Sequence, residues 1–200
     1  PIQIVHSHFQ LGTLAALCLK RQCPSLIALR TVHNVQEWEQ TLAGRLKAHI
    51  FTERVFPARL DAEVGVSQAI VEQLQAHPGA KQQPEKIHMN PNAIDLPEAL
   101  PEIKPPRAEG QGFVIGSAGR LAEQKGYRYL VAAMPEVLEV IPGCALHLAG
   151  AGERKAELMA VANELGIANQ VKFKGYLGNI PDFLSGLDLF ISSSLWEGLP

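Results

Sequence analysis

Residues 112–125, GFVIGSAGRLAEQK, decide the fold. Phe113, Val114 and Ile115 form a short apolar run with β-branched character, which reads as a strand. The chain then turns through Gly116 and Gly119, meets Arg120 and Lys125, and takes up a helical pattern. Strand, glycine turn, cations, helix is the order in which an α/β domain makes an anion site. Glycine lets backbone approach a ligand, and the N-terminal end of a helix carries partial positive charge. Arg120 can meet a phosphate with two donors, and Lys125 supplies a mobile point charge. The same stretch also reads as a solvated basic pair beside an ordinary strand-to-helix turn, and the segment alone does not choose between the two.

Beyond this stretch the alternation is regular. The strand at 113–117 leads to a helix over about 126–140, stopped by Pro142 and Gly143. A strand at 145–148, the turn GAGE at 150–153 and a helix at 155–165 closed by Gly166 follow. Then come a strand at 171–173, a turn at 175–178, a short helix at 180–184 and a strand at 188–192. Repeated βα units with short turns predict a parallel sheet with right-handed crossovers. Ligands in such sheets collect at the C-terminal strand ends, where the Gly119, GAGE, Gly175 and Glu197 turns all fall.

The first half repeats the theme. Residues 2–8 alternate in a way that suits a strand with buried faces, and 11–19 read as a helix. Residues 26–32 form the next strand, and a helix over 37–59 is expected to break or end near Pro57. A strand at 62–66, a helix at 68–75 capped by Ser67, a loop at 77–84 and a strand at 86–89 complete this half. The only shift toward linker composition is the Pro-rich stretch between. It divides the chain into 1–96, a linker at 97–111, and 112–200.

The 200 residues are 46% hydrophobic and 19% charged, enough for one or two ordinary cores. A net charge of -2 leaves no general basic field, so nucleic acid is not an expected partner and any polyanion site must be local. Cys18, Cys23 and Cys144 lack a CxxC spacing and are expected as buried thiols in a reducing compartment. His6 and His8 face one side of a strand, but nothing supplies a third metal ligand of clear spacing. No apolar run reaches membrane-spanning length. The chain opens inside a strand pattern without Met and stops where a helix is due, so both ends read as cut.

The order GSAGRL, KG at 125–126, LAGAGE, VKFKG and DLFISSSLWEGLP resembles the nucleotide-sugar-binding domain of the family 4 glycosyltransferases of the GT-B fold. VHSH, TVHN, VSQAIVEQL and KIHMNPNAID are similar to the later part of their acceptor-side domain. The resemblance implies an α/β chain of two Rossmann-like parallel-sheet domains, both incomplete. It implies a retaining, metal-independent hexosyl transfer from a UDP- or GDP-linked sugar to a sugar, lipid or small-molecule acceptor, with no cofactor.

It also assigns roles. Arg120 and Lys125 match the pair that holds the donor diphosphate, and Glu197 the first of the paired glutamates that contact the donor sugar. His33 matches the histidine near sugar and phosphate at the domain cleft. Gly119 and Gly152 belong to the donor-side turns, and Tyr176 stands where main chain meets the nucleobase. Each has a plainer reading: a strand-end histidine, a glutamate that favours a helix dipole, a turn glycine, an exposed turn aromatic. Ala93 replaces the family's usual glycine after Asn92, which is costly if that turn needs positive φ. The expected location is the cytoplasm, with peripheral contact at the inner membrane face left open because many relatives act on lipid acceptors. A non-catalytic nucleotide-binding module, a GT-B sugar-nucleotide epimerase and a purely structural fragment are the competing readings.

Overall fold

A computed structural model describes residues 2–35, 41–95 and 112–199. The expected linker at 97–111 and the start of the helix expected from 37 lie outside the described residues. By their contacts the described residues form two compact units, one of residues up to 95 with 196–199, the other of residues 112–195.

The first unit runs β1 (Ile4–His8), α1 (Phe9–Gln22), β2 (Ile27–Val32), α2 (Leu42–Lys47), a π-helical stretch (Ala48–Val55), α3 (Phe56–Arg59), β3 (Ala62–Gly65), α4 (Gln68–Ala76) and β4 (Ile87–Met89). Its four strands are parallel in the order β1-β2-β3-β4. Each strand lies beside its sequence neighbour, so successive right-handed crossovers send the helices to one face. Burial follows: Ser7, Ala28, Arg30 and Glu63 are buried, whereas Ile4, His6 and His8 are exposed. This corrects the expectation of a first strand with buried faces, because β1 is an edge strand with one face open among the described residues.

Ala28, Phe56 and Leu60 pack with Leu14 and Leu17, while Val32, Val66, Ile70 and Leu74 form a second cluster. Inside this layer Arg30 Nε donates to Glu63 Oε1 at 2.7 Å and the guanidinium lies 4.6 Å from the Phe56 ring centre. Burial pushes the Glu63 carboxyl above its ordinary range, against the pull of Arg30.

The helix expected to break or end near Pro57 includes Pro57 and ends at Arg59, as expected, while two further expectations, on the cysteines and on Ala93, need revision. Proline has no N–H for the carbonyl four residues back, and that carbonyl, of Glu53, instead accepts from Gly79 N–H at 2.9 Å. Cys18 and Cys23 are exposed and only Cys144 is buried, because α1 fully buries just Thr13 and Ala16 and turns Cys18 outward. Ala93 keeps a negative φ, so the feared strain at that turn does not arise. The Ser67 cap forms as expected, its Oγ accepting from Ile70 N–H at 3.4 Å.

The second unit runs β5 (Val114–Ala118), a 3-10 turn (Glu123–Lys125), α5 (Tyr127–Val140), β6 (Ala145–Ala149), α6 (Lys155–Glu164), β7 (Val171–Gly175), α7 (Ile180–Ser185) and β8 (Leu189–Phe190). The parallel order is β7-β6-β5-β8. The chain steps outward from β5 to β7, then returns to the far side of β5, which makes a topological switch point between β5 and β8. Open α/β sheets bind ligands outside the C-terminal strand ends at such a point. Ile115, Leu121, Val131, Leu146 and Leu148 anchor the core.

The sequence placed the turn one step early. Gly116 lies inside β5, where a Cβ would collide with the Leu187 side chain, and the strand ends only before Gly119. The extra 3-10 turn also separates Arg120 from the start of α5. Among the described residues no helix is long and apolar enough to cross a membrane.

Candidate functional site

The site grows from four turns at the C-terminal edge of the second sheet. Gly119 leaves β5 at φ 156°, and its N–H donates to Ala149 O at 2.9 Å. Leu121 N–H donates to Ala151 O at 2.9 Å, and Arg154 N–H returns to Leu121 O at 2.9 Å. Gly150 N–H reaches Gly175 O at 2.7 Å. Leu195 N–H reaches Gln124 O at 2.7 Å, and Ser193 Oγ donates to Lys125 O at 2.8 Å. The turns after β5, β6, β7 and β8 are therefore tied to one another through backbone.

The glycines make that lacing fit. A Cβ on Gly150 would overlap Gly119 O, one on Gly152 the Leu121 backbone, and one on Gly126 the Ser193 carbonyl. Gly150 and Gly152 thus have a packing cause in the protein's own backbone.

Arg120 is exposed and Lys125 half-buried. The Lys125 stem lies across Gly119: a Cβ there would be 3.1 Å from Lys125 Cε and 2.9 Å from the Tyr127 hydroxyl. Lys125 therefore lies over the Gly119 turn at the switch point, and Arg120 is the exposed residue that directly follows Gly119. A third cation, missed in the sequence, braces the same turn from the start of α6. Arg154 Nη1 donates to Glu157 Oε2 at 2.6 Å and Nη2 to Glu123 Oε2 at 3.1 Å. Carboxylates engage both of its terminal nitrogens, and the mixed-charge GERKAE run is the sequence signal for it. Tyr176, just after Gly175 at φ 69°, is 86% exposed.

The other predicted residues belong to the first unit. His33 follows β2, and its Nε2 lies 2.8 Å from His8 Nδ1. His6 Nε2 lies 2.8 Å from Thr31 Oγ1. Strand pairing brings His33 beside His8. Its nitrogen faces that of His8 at hydrogen-bonding distance, and no metal-holding group of three His, Cys, Asp or Glu occurs among the described residues. Burial, then the charge of His8, lowers the pKa of His6; the same causes and then His6 lower that of His33. Glu197 is half-buried, and the next residue, Gly198, packs its backbone against the His33 carbonyl.

Residues 101–200 match the family described as glycosyl transferases group 1. The chain belongs to that family. An uncharacterised glycosyltransferase of Methanocaldococcus jannaschii is 41% identical over 88 residues, which are 44% of this group 1 chain and 22% of the relative. An Escherichia coli enzyme named as a UDP-Gal:alpha-D-GlcNAc-diphosphoundecaprenol alpha-1,3-galactosyltransferase is 26% identical over 98% of this chain and 53% of its own length. The crystal structure of Anabaena HepE with UDP and glucose superposes with a TM-score of 0.75 at 18% identity, covering 96% of this chain and 52% of that one. The two sheets are thus those of the GT-B fold. The chain spans about half the length, or less, of these relatives.

Proposed function

We propose that this chain carries the donor-binding turn of a retaining, family 4-type glycosyltransferase that moves a hexosyl group from a UDP- or GDP-linked sugar to an acceptor. The observation that carries the reading is the Gly119–Lys125 turn at the β5/β8 switch point, in which the Lys125 stem lies across Gly119 and Arg120 directly follows it. As the glycosidic bond breaks, the departing nucleoside diphosphate gains negative charge, and cations already in place favour that state without reorganisation. Arg120 and Lys125 take this role, which removes the need for a metal ion. Glu197 accepts hydrogen bonds from hydroxyls of the donor sugar. His33, neutral near pH 7, donates at the reacting end. Tyr176 and Gly152 belong to the donor side.

The UDP in the HepE structure and the donor in the E. coli enzyme's name support a uridine nucleotide. That enzyme's diphosphoundecaprenol acceptor also supports a lipid-linked sugar as one acceptor class, met at the inner face of the membrane from the cytoplasm. Transfer assays with radiolabelled UDP-, GDP- and ADP-sugars against sugar, lipid and small-molecule acceptors test the reading. Label moved from one donor to an acceptor with retained configuration is the expected result. Inversion, release of free sugar without an acceptor, or no turnover of any donor in the presence of acceptors contradicts it.

A further inference from the structure

β1 and β2 pair in parallel with His8 opposite Thr31. Side chains on a strand repeat every second residue, so His6 and His8 share a face with Thr31 and His33. The contacts run diagonally across that face, from His6 to Thr31 and from His8 to His33, each at 2.8 Å. The His8 and His33 rings stack with centres 5.1 Å apart. The next residue, Phe9, has φ 60°, the one positive value outside glycine among the described residues. That backbone is unfavourable for an aromatic residue and persists where the surroundings over-determine it. It brings the Phe9 ring to 6.0 Å from that of His33, so two successive side chains close on the same imidazole.

We propose that His8 is a positioning residue for His33: its Nδ1–H donates to His33 Nε2, fixing the ring and leaving the His33 proton on Nδ1. This rests on the proposed role of His33 at the reacting end. A neutral imidazole has one donor and one acceptor, and the hydrogen bond at one nitrogen decides the state of the other. In the reverse arrangement His33 spends its proton on His8, and only a lone pair remains at Nδ1. A lone pair cannot donate to a sugar hydroxyl oxygen or a phosphate oxygen. The lowered pKa of His33 keeps the ring in the neutral form in which this distinction exists.

The test varies the group at position 8 in the full 200-residue chain and reads His33 by nitrogen NMR with labelled histidine, beside transfer kinetics with the donor found active. Asn at position 8 keeps an N–H donor near the place of Nδ1, Asp of the same shape only accepts, and Ala does neither. Wild type and His8→Asn are expected to show His33 protonated on Nδ1, His8→Asp on Nε2, and His8→Ala a mixture. The turnover number falls about tenfold or more in His8→Ala and His8→Asp with little change in KM for the donor, and His8→Asn restores it. One protonated nitrogen throughout the series, or Nε2 in the wild type, overturns the proposal. If His8→Ala fails to fold, the Asn and Asp variants alone decide it. His33→Ala separates the two readings. Undiminished transfer by that variant, while the His33 tautomer in the position 8 series still follows the substitution, refutes the role of His33 and leaves the positioning intact. Lost transfer with an indifferent tautomer refutes the positioning alone.

Discussion

The carbonyl oxygen of Gly119 occupies the space that a side chain on Gly150 would need. Gly150 has φ 127°, its N–H is held by Gly175 O at 2.7 Å and the Gly119 N–H is held by Ala149 O at 2.9 Å, so neither partner can retreat without breaking a tie between neighbouring turns. Gly150→Ala is expected to destabilise the chain by about 1–3 kcal/mol through backbone strain and to weaken nucleotide binding, because Gly119 carries Arg120. Urea unfolding and a nucleotide titration of the variant check it; unchanged values in both contradict the lacing argument.

The buried pair in the first unit makes a different kind of prediction. Arg30 and Glu63 are both about fully buried, at 1% and 2% exposure. Arg30→Met removes the partner of a buried carboxylate and is expected to cost about 3–5 kcal/mol. Arg30→Met with Glu63→Leu leaves no charge inside and recovers most of that loss. Equal destabilisation by the single and double variants, measured by chemical denaturation, refutes the account.

The histidines set the acid limb of stability. Burial first, then neighbouring positive charge, lowers His6 and His33 below 6.5; burial and then Arg30 lower His77, against an opposing pull from Glu53. The unfolded chain then binds more protons than the folded one below that pH, so stability is intact above 6.5 and is lost as pH falls through the folded values. Glu63, raised from 4.5, acts in the opposite sense as pH climbs through its folded value, so the histidine share is read from a variant. His77→Gln is expected to flatten the loss between about pH 7 and pH 5. A His77→Gln urea midpoint that falls over that range as steeply as the wild type's contradicts the sign.

Most strands and helices were legible because each rested on local signals: apolar runs, the Ser67 cap, Gly166 at a helix end. The turn that carries Arg120 and Lys125 was legible for the same reason, since it is six residues long. What escaped was set by partners distant in sequence. His33 joins His8 only through the register of two strands. Arg154 was hidden because its carboxylate partners lie on separate elements, a 3-10 turn and α6.

In transfer assays, Arg120→Ala and Lys125→Ala are each expected to lower turnover by at least about 100-fold, as removal of one charge-stabilising donor does. The stability of Arg120→Ala should match the wild type, since Arg120 is exposed. Wild-type turnover in either variant contradicts the assignment.

Calorimetric titration of UDP, GDP and ADP compounds into the wild type and the Arg120→Ala variant tests the central claim most directly. The account predicts that one nucleoside diphosphate class binds the wild type and weakens by about tenfold or more in the variant, the loss of one charge-assisted contact. Binding of equal strength in both proteins, or none to the wild type, would contradict it.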